Sequence, residues 1–334
     1  MNPPALRLQW TRALEPRDAA DYDAFVAQAS TGHYAQGRRW AKVACAGRLF
    51  VPAFVLARDE TFRVVGTALV LRACWRRLPL PYAVVERGPV VSDPSLFRPF
   101  VAALTRAARR RGIARLALMP YWEKPAAQML EQALGALGWV DVQTAAGPHV
   151  RTLRLATAGK TDAQLFAGGH YVHLRQKIRA AQQAGVQSRR GSAADLPAFA
   201  ALYNTLMRRQ GRPPKSDAWL RAVATLDFSP QGDIGLFLAE RDGRPLTAAL
   251  VVRHGRLCTY AWGASDDTPM KIAKMVPPLV AAIHWARDVG CDFDLGGIPM
   301  DGDSDPKRLS IAQFKRDFAQ APVQLLRQHA RWLW

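Results

Sequence analysis

Toward the end of the chain, Cys291 to Pro299 reads C-D-F-D-L-G-G-I-P. An aspartate-rich loop follows, and then Ser310 to Phe318 reads S-I-A-Q-F-K-R-D-F. A short apolar strand that breaks at Gly296-Gly297, ahead of a helix carrying Lys315 between Phe314 and Phe318, makes a corner suited to a phosphate or an acyl group. Paired glycines let the backbone approach a ligand in conformations closed to other residues. Phe314 and Phe318 stand four apart, on one helix face; anchored in a core, they would hold the lysine cation at a fixed edge of that face. The same residues also fit an ordinary strand, loop and helix with a solvated lysine.

A second arrangement lies between Thr161 and Gly185, which reads as one or two helices. Leu174, Ile178 and Ala181 form an apolar stripe with Arg175 and Arg179 on the neighbouring face. Two arginines one turn apart can grip a diphosphate in bidentate fashion, or they can simply solvate the stripe. His170 and His173 share a helical spacing but have no evident third ligand, so no metal site is predicted. Arg109 to Ala114 matches the [QR]-x-x-G-x-[GA] turn with which GNAT acetyltransferases hold the diphosphate of coenzyme A. Its glycine, however, ends a helix and precedes a strand, so the amides of a helix start are not available there.

The elements that position these groups fall into two similar runs. Leu49–Arg58 and Val64–Leu71 flank Asp59-Glu60-Thr61 as a hairpin, and Tyr82–Val91 is a strand pair broken at Gly88-Pro89. A helix over Ser95–Arg111, a strand over Ile113–Met119 and a helix over Pro125–Leu137 follow. After a linker at Thr144–Pro148 the order returns: Ile234–Arg241 and Thr247–His254 around Asp242-Gly243, a strand Leu257–Trp262, a helix Met270–Val289, and a strand Asp292–Leu295. The landmarks are offset by about 180 residues, too far for a solenoid repeat and suited to a duplicated domain. The predicted fold class is α/β: two similar domains, residues 1–150 and 151–334, each a mixed, largely antiparallel sheet with helices packed on it.

The chain has 334 residues, 49% of them hydrophobic, enough for buried cores. Lys and Arg number 46 against 27 Asp and Glu, a formal charge of +19. That excess points to a polyanionic partner: nucleic acid, an anionic membrane surface or a phosphorylated substrate. An arginine- and alanine-rich composition throughout accounts for part of it. Cys45, Cys74, Cys258 and Cys291 are scattered without C-x-x-C spacing, which argues against zinc and against a disulfide framework and fits a reducing cytoplasm. Met1–Trp10 does not read as a secretory signal and no apolar run reaches membrane-spanning length, so any contact with the inner face of a membrane is expected to be peripheral.

Taken in order, R-x-x-I-R-x-A-x-x-x-G-V from Arg175 to Val186, D-x-G-G-I from Asp294 to Ile298 and F-K-x-x-F from Phe314 to Phe318 resemble the Fem family of peptidoglycan peptidyltransferases. Gln36 to Lys42 with Trp40, Arg87-Gly88-Pro89-Val90, and Tyr260 to Ser265 support the likeness, which covers most of the chain. The resemblance implies two GNAT-like domains in tandem and transfer of an amino acid from aminoacyl-tRNA to the peptide stem of a peptidoglycan precursor, without metal, cofactor or covalent enzyme intermediate. It implies that Lys42, Arg175 and Arg179 hold the precursor's diphosphate and that Tyr260 orients its peptide. Lys315 would face the tRNA end or the reacting carbonyl with Asp294 as the second catalytic candidate, and Gly296, Gly297 and Phe314 would line the substrate. Two departures stand out. Leu202–Thr225, with Gly211-Arg212-Pro213-Pro214, is too short and broken for the helical arm of some members, and Met119-Pro120 replaces a frequent D-P. They keep open an N-acyltransferase using an acyl-CoA thioester on a cell-envelope or exopolysaccharide substrate, and a basic RNA-binding module that has lost the chemistry.

Overall fold

In the hairpin turn at Asp242-Gly243 both residues have positive φ, 54° and 72°. That is the backbone a two-residue connection between twisted strands demands. Similar punctuation divides the whole chain. The computed structural model describes residues 6–47, 50–76, 78–142, 150–267 and 271–334; the expected linker at 144–148 lies outside them. In chain order the elements are β1 (Arg7–Thr11), α1 (Pro16–Gln28), α2 (Arg38–Cys45), β2 (Phe50–Arg58), β3 (Val64–Trp75), β4 (Leu78–Glu86), β5 (Val90–Val91), α3 (Phe97–Arg109), β6 (Arg115–Met119), α4 (Ala126–Ala136) and β7 (Val140–Asp141). There follow β8 (Arg151–Leu155), α5 (Asp162–Leu165), α6 (Val172–Gln183), β9 (Gln187–Gly191), α7 (Leu196–Arg209), α8 (Asp217–Ala224), β10 (Ile234–Arg241), β11 (Arg244–His254) and β12 (Leu257–Ser265). The chain ends with α9 (Val276–Asp288), β13 (Asp292–Gly297), α10 (Pro306–Arg316), β14 (Pro322–Gln324) and β15 (His329–Trp332).

The chain separates into two compact units, Met1–Val150 with Val323–Trp334, and Arg151–Pro322. The first sheet runs β1-β2-β3-β4-β6-β15-β7 and the second β14-β8-β13-β12-β11-β10-β9. Read from opposite ends, the two orders correspond strand for strand: β1 to β9, β2–β4 to β10–β12, β6 to β13, β7 to β14. In each, three antiparallel strands lead through a helix, α3 or α9, to a parallel neighbour, β4 beside β6 and β12 beside β13. A parallel pair needs such a crossover, and the helix covers the face it crosses. Phe97, Phe100 and Leu104 of α3 are buried with Val55, Val85 and Leu116; Leu279 and Ile283 of α9 are buried with Phe237, Val251 and Phe293.

Two boundaries differ from the sequence reading. The helix expected from Met270 begins at Val276, because Pro277 and Pro278 fit only the first turn, where their missing N–H groups are not needed. The last residues, read with the second half, belong to the first unit: β15 pairs with β6 through Ala330 and Ala117, and with β7. Likewise β8, which follows β7 in sequence, pairs with β13 in the second sheet.

The first unit closes its own strand irregularity with a side chain. β4 leaves β3 after Val84, Arg87 takes φ of 54°, and β5 rejoins β3 at Thr67 and Gly66. The amide of the fully buried Gln36 fills the interval, accepting from Leu69 N at 2.8 Å and donating to Glu86 O at 2.5 Å. Gly88 must be glycine, since a Cβ there would lie 2.5 Å from that amide. Gln36→Leu therefore deprives the buried Leu69 N–H of this acceptor and Glu86 O of this donor, and should lower the unfolding free energy by about 2 kcal/mol or more in denaturant titration. Lys42→Ala, at an exposed position of the next helix, should leave the midpoint unchanged.

Candidate active site

In the second unit the strands that carry the chemistry diverge. β12 and β13 pair only from Leu257 to Thr259 and from Asp292 to Asp294, whereas the equivalent β4 and β6 pair over Tyr82–Glu86 and Arg115–Met119. Past this point a bulge in β12 sets Leu250 opposite Trp262 and Val251 opposite Tyr260, so Ala261 is the extra residue. A bulge re-aims side chains, and here it separates two aromatics. Tyr260 joins the core that holds Phe293 and Phe318, and Trp262 packs edge-on against Trp219 of α8. Lys215 lies 4.6 Å and 5.0 Å from the ring centres of Trp219 and Trp262, which fastens the Pro-rich α7–α8 connection to β12.

Lys315 faces the divergence. It and Ala312 are the buried residues of α10, and its ammonium donates to Gly297 O at 2.8 Å. That carbonyl is presented by a turn at Gly296, whose φ of +75° disfavours any side chain; a Cβ there would stand 3.2 Å from Tyr260 O and 3.6 Å from Lys315 Nζ. Asp294 holds the turn. Its carboxylate accepts from Gly296 N at 2.6 Å, from the Thr152 hydroxyl and from Arg154 Nε at 3.5 Å, and it is 2% exposed. A carboxylate so engaged positions the turn. Burial pushes the Lys315 ammonium down from 10.5 to about 8, with Asp294 opposing the shift. Burial likewise pushes the Tyr260 phenol up, so it stays protonated.

α10 is aimed by its own ends. Asp305 caps it, accepting from Lys307 N and Arg308 N with Pro306 in the first turn. Phe314 and the fully buried Phe318 meet at 5.5 Å, edge to face, just past the helix end; Phe314 itself is half-buried. Lys177 of α6 reaches Asp317 at 2.6 Å. The aspartates of the preceding loop are engaged in this bracing: Asp301 with Arg151, and Asp303 with Arg308.

The structure thus brings Lys315, Asp294, Gly296, Gly297, Tyr260 and Phe314 together. Arg175 is in the same unit, but its guanidinium donates to Phe166 O and Gly168 O, 2.8 and 3.0 Å away, and secures the segment before α6. Arg179, one turn on, is exposed, and Lys42 is an exposed residue of α2 in the first unit. Thr152 and Arg154, the donors to Asp294, escaped sequence reasoning. Their strand, R-T-L-R-L, is only five residues long, and with two adjacent buried positions it shows no clean alternation to read.

The helix start nearest β12 in sequence cannot serve as an anion cradle. At α9, Val276 N donates to Ala273 O and Leu279 N to Met275 O, and Pro277 and Pro278 have no N–H to offer.

Diverging parallel strands, a bulged neighbour and a duplicated unit define a tandem GNAT-fold acyltransferase. The Acetyltransferase (GNAT) domain family matches residues 170–316. The crystal structure of FemX superposes with a TM-score of 0.77 over 97% of this chain and 96% of that one, at 18% identity. A tandem GNAT protein of the clavulanic acid pathway superposes at 0.57 over 99% of both chains, at 10% identity. In sequence the chain is 26% identical to the UDP-N-acetylmuramoylpentapeptide-lysine N(6)-alanyltransferase of Weissella viridescens, over 92% of this chain and 90% of that protein. These likenesses agree with the resemblance of the sequence motifs to the Fem family. Among the described residues, no helix is long and apolar enough to cross a membrane.

A buried lysine with a lowered pKa leaves a signature in stability. Between about pH 8 and 10.5 the unfolded chain binds more protons at Lys315 than the folded one, so stability should rise with pH across that window by about 3 kcal/mol. Below it the cost of burying the charge is constant. Lys315→Met should flatten this rise and give an equal or higher unfolding midpoint at pH 7; a variant that keeps the full rise would remove Lys315 as its source.

Proposed function

We propose that this protein is an aminoacyltransferase of the cytoplasm that moves an amino acid from aminoacyl-tRNA to the peptide stem of a peptidoglycan precursor. The observation that carries the reading is the Lys315 ammonium, 8% exposed and held against the Gly296-Gly297 turn between diverging strands. The relative from Weissella viridescens, named for alanyl transfer to a lysine of UDP-N-acetylmuramoylpentapeptide, supplies the acceptor class. In the reaction a neutral amine attacks the ester carbonyl, the C–N bond forms, the C–O bond to the tRNA ribose breaks, and the amine's proton leaves with the ribose hydroxyl or to solvent.

An ammonium with three donors, one of them on Gly297 O, has two left for an oxygen that gains negative charge. With a pKa near 8 it is mainly cationic at neutral pH, and burial makes the charge count for more than it would in water. Asp294 keeps the turn in place, Tyr260 and Phe314 shape the apolar side, and Arg179 and Lys42 are cations available to phosphates. Arg175 contributes through the segment it secures. The tRNA donor is supported by the +19 charge and by the start of α9, whose prolines and engaged amides offer a coenzyme A diphosphate no backbone cradle.

The test is transfer of label from aminoacyl-tRNA pools, and in parallel from acyl-CoA, to muropeptide precursors. Label should move from tRNA. Lys315→Ala should lower turnover by about 10²-fold or more, and Lys315→Arg should rescue only in part, since a planar fork cannot replace a compact charge in a crowded corner. Lys307→Ala, exposed on the same helix, should be nearly silent. Transfer from acyl-CoA alone, or full turnover in Lys315→Ala, would overturn the reading. tRNA binding should also weaken with salt at a log–log slope of about −0.7 to −0.9 per phosphate contacted.

A further inference from the structure

One end of the first unit's sheet exposes large apolar side chains among arginines. At the tip of the β3–β4 hairpin, Trp75 and Leu78 are cross-strand partners, 53% and 63% exposed, and Leu80 follows. Tyr82 pairs with Arg115 and Arg115 with Trp332, so a row crosses three strands, the guanidinium 5.9 and 5.7 Å from the two ring centres. Trp334, 78% exposed, stacks on Trp332 at 5.2 Å and 10°. Arg72 ties the hairpin to the end of α3, donating to Leu80 O and Arg111 O at 3.0 and 2.8 Å.

The three segments that meet there, 72–82, 104–116 and 331–334, hold eight arginines and no Asp or Glu among their described residues. Single exposed hydrophobics need no explanation, but a group of them in an unbroken field of cations does. Tryptophan is the side chain best suited to the boundary between headgroups and hydrocarbon, and arginines beside it are drawn to anionic headgroups. The tip sequence L-P-L-P offers aliphatic surface to hydrocarbon, and neither leucine nor proline offers a donor to a phosphate or a plane for a base to stack on. We propose that this end of the first unit docks peripherally on an anionic phospholipid bilayer, with Trp75, Leu78 and Leu80 entering the interface and the arginines meeting headgroup phosphates. The proposal stands independently of the transfer reaction.

The experiment is co-sedimentation of the full chain with vesicles of phosphatidylcholine alone and of phosphatidylcholine mixed with phosphatidylglycerol. Binding to the mixed vesicles should be about tenfold tighter or more. The double variant Trp75→Ser with Leu78→Ser should lose most of it, again about tenfold, at an unchanged thermal midpoint because both residues are exposed. Phe62→Ser, an equally exposed aromatic on another hairpin of the same unit, should bind as the parent does; Arg109→Glu with Arg110→Glu should abolish the preference for anionic vesicles. The proposal is overturned if the parent ignores anionic vesicles, if the double variant binds them undiminished, or if the double variant loses tRNA binding instead. Loss of transfer activity with vesicle binding intact would tell against the reaction alone.

Discussion

An ammonium taken out of water is the constraint around which the second unit is built. Lys315 is 8% exposed, and a charge so placed is tolerated only where a neighbour replaces its water. The replacement is Gly297 O, which reaches it because Gly296 turns through φ of +75°, which in turn is held by Asp294, and Asp294 is fixed by Thr152 and Arg154 of β8. Each link depends on the next. A strand of five residues thus matters to the site although none of its side chains need meet a substrate.

Duplication makes the specialisation visible. Where β13 carries Asp294 and the glycine turn, β6 reads R-L-A-L-M and stays paired to its end; α4, the counterpart of α10, has no basic residue. In the first unit the equivalent strands β4 and β6 stay paired, and the gap lies instead between β3 and β4, where Gln36 fills it. One copy has kept the parted strands at which chemistry can be made. The other keeps that strand pair closed and spends a buried amide on its own gap, and closed strands have no groups to offer a reacting atom.

Much of this was legible in the residues. Asp-Gly between two apolar runs marks the β10–β11 hairpin, the offset between the two runs marks the duplication, and F-K-x-x-F marks the helix that presents Lys315. What escaped is what depends on long-range pairing. R-T-L-R-L does not announce that its threonine and second arginine will meet an aspartate about 140 residues on, and Gln36 looks like any polar residue until the gap between β3 and β4 is built around it. Arg175 and Arg179 have the spacing of a diphosphate clamp, yet spacing carries no information about carbonyls within reach. In the fold Phe166 O and Gly168 O engage the first of them. The C-terminal strand went astray for the same reason, since its apolar residues fit either sheet and only the pairing with β6 decides.

The start of α9 shows how a single local choice redistributes the handling of negative charge. A helix N-terminus gathers several amide donors and the positive end of the backbone dipole, and a strand followed by such a helix is the natural anion site of an α/β unit. Here prolines at 277 and 278 delete two donors, and Val276 N and Leu279 N are turned to Ala273 O and Met275 O. Proline at these positions costs the helix nothing, since the missing groups have no partner within it. It does remove the backbone as a phosphate ligand, and an anionic substrate must then be met by side chains. A chain with 46 lysines and arginines against 27 acids has those in excess. Side chains differ from amides in reach and in freedom: they can follow a larger, more irregular polyanion than a fixed nest can, at the cost of ordering each one on binding. The loss of the backbone nest and the surplus of cationic side chains favour the polymeric donor proposed above over one whose charge is concentrated in a single diphosphate.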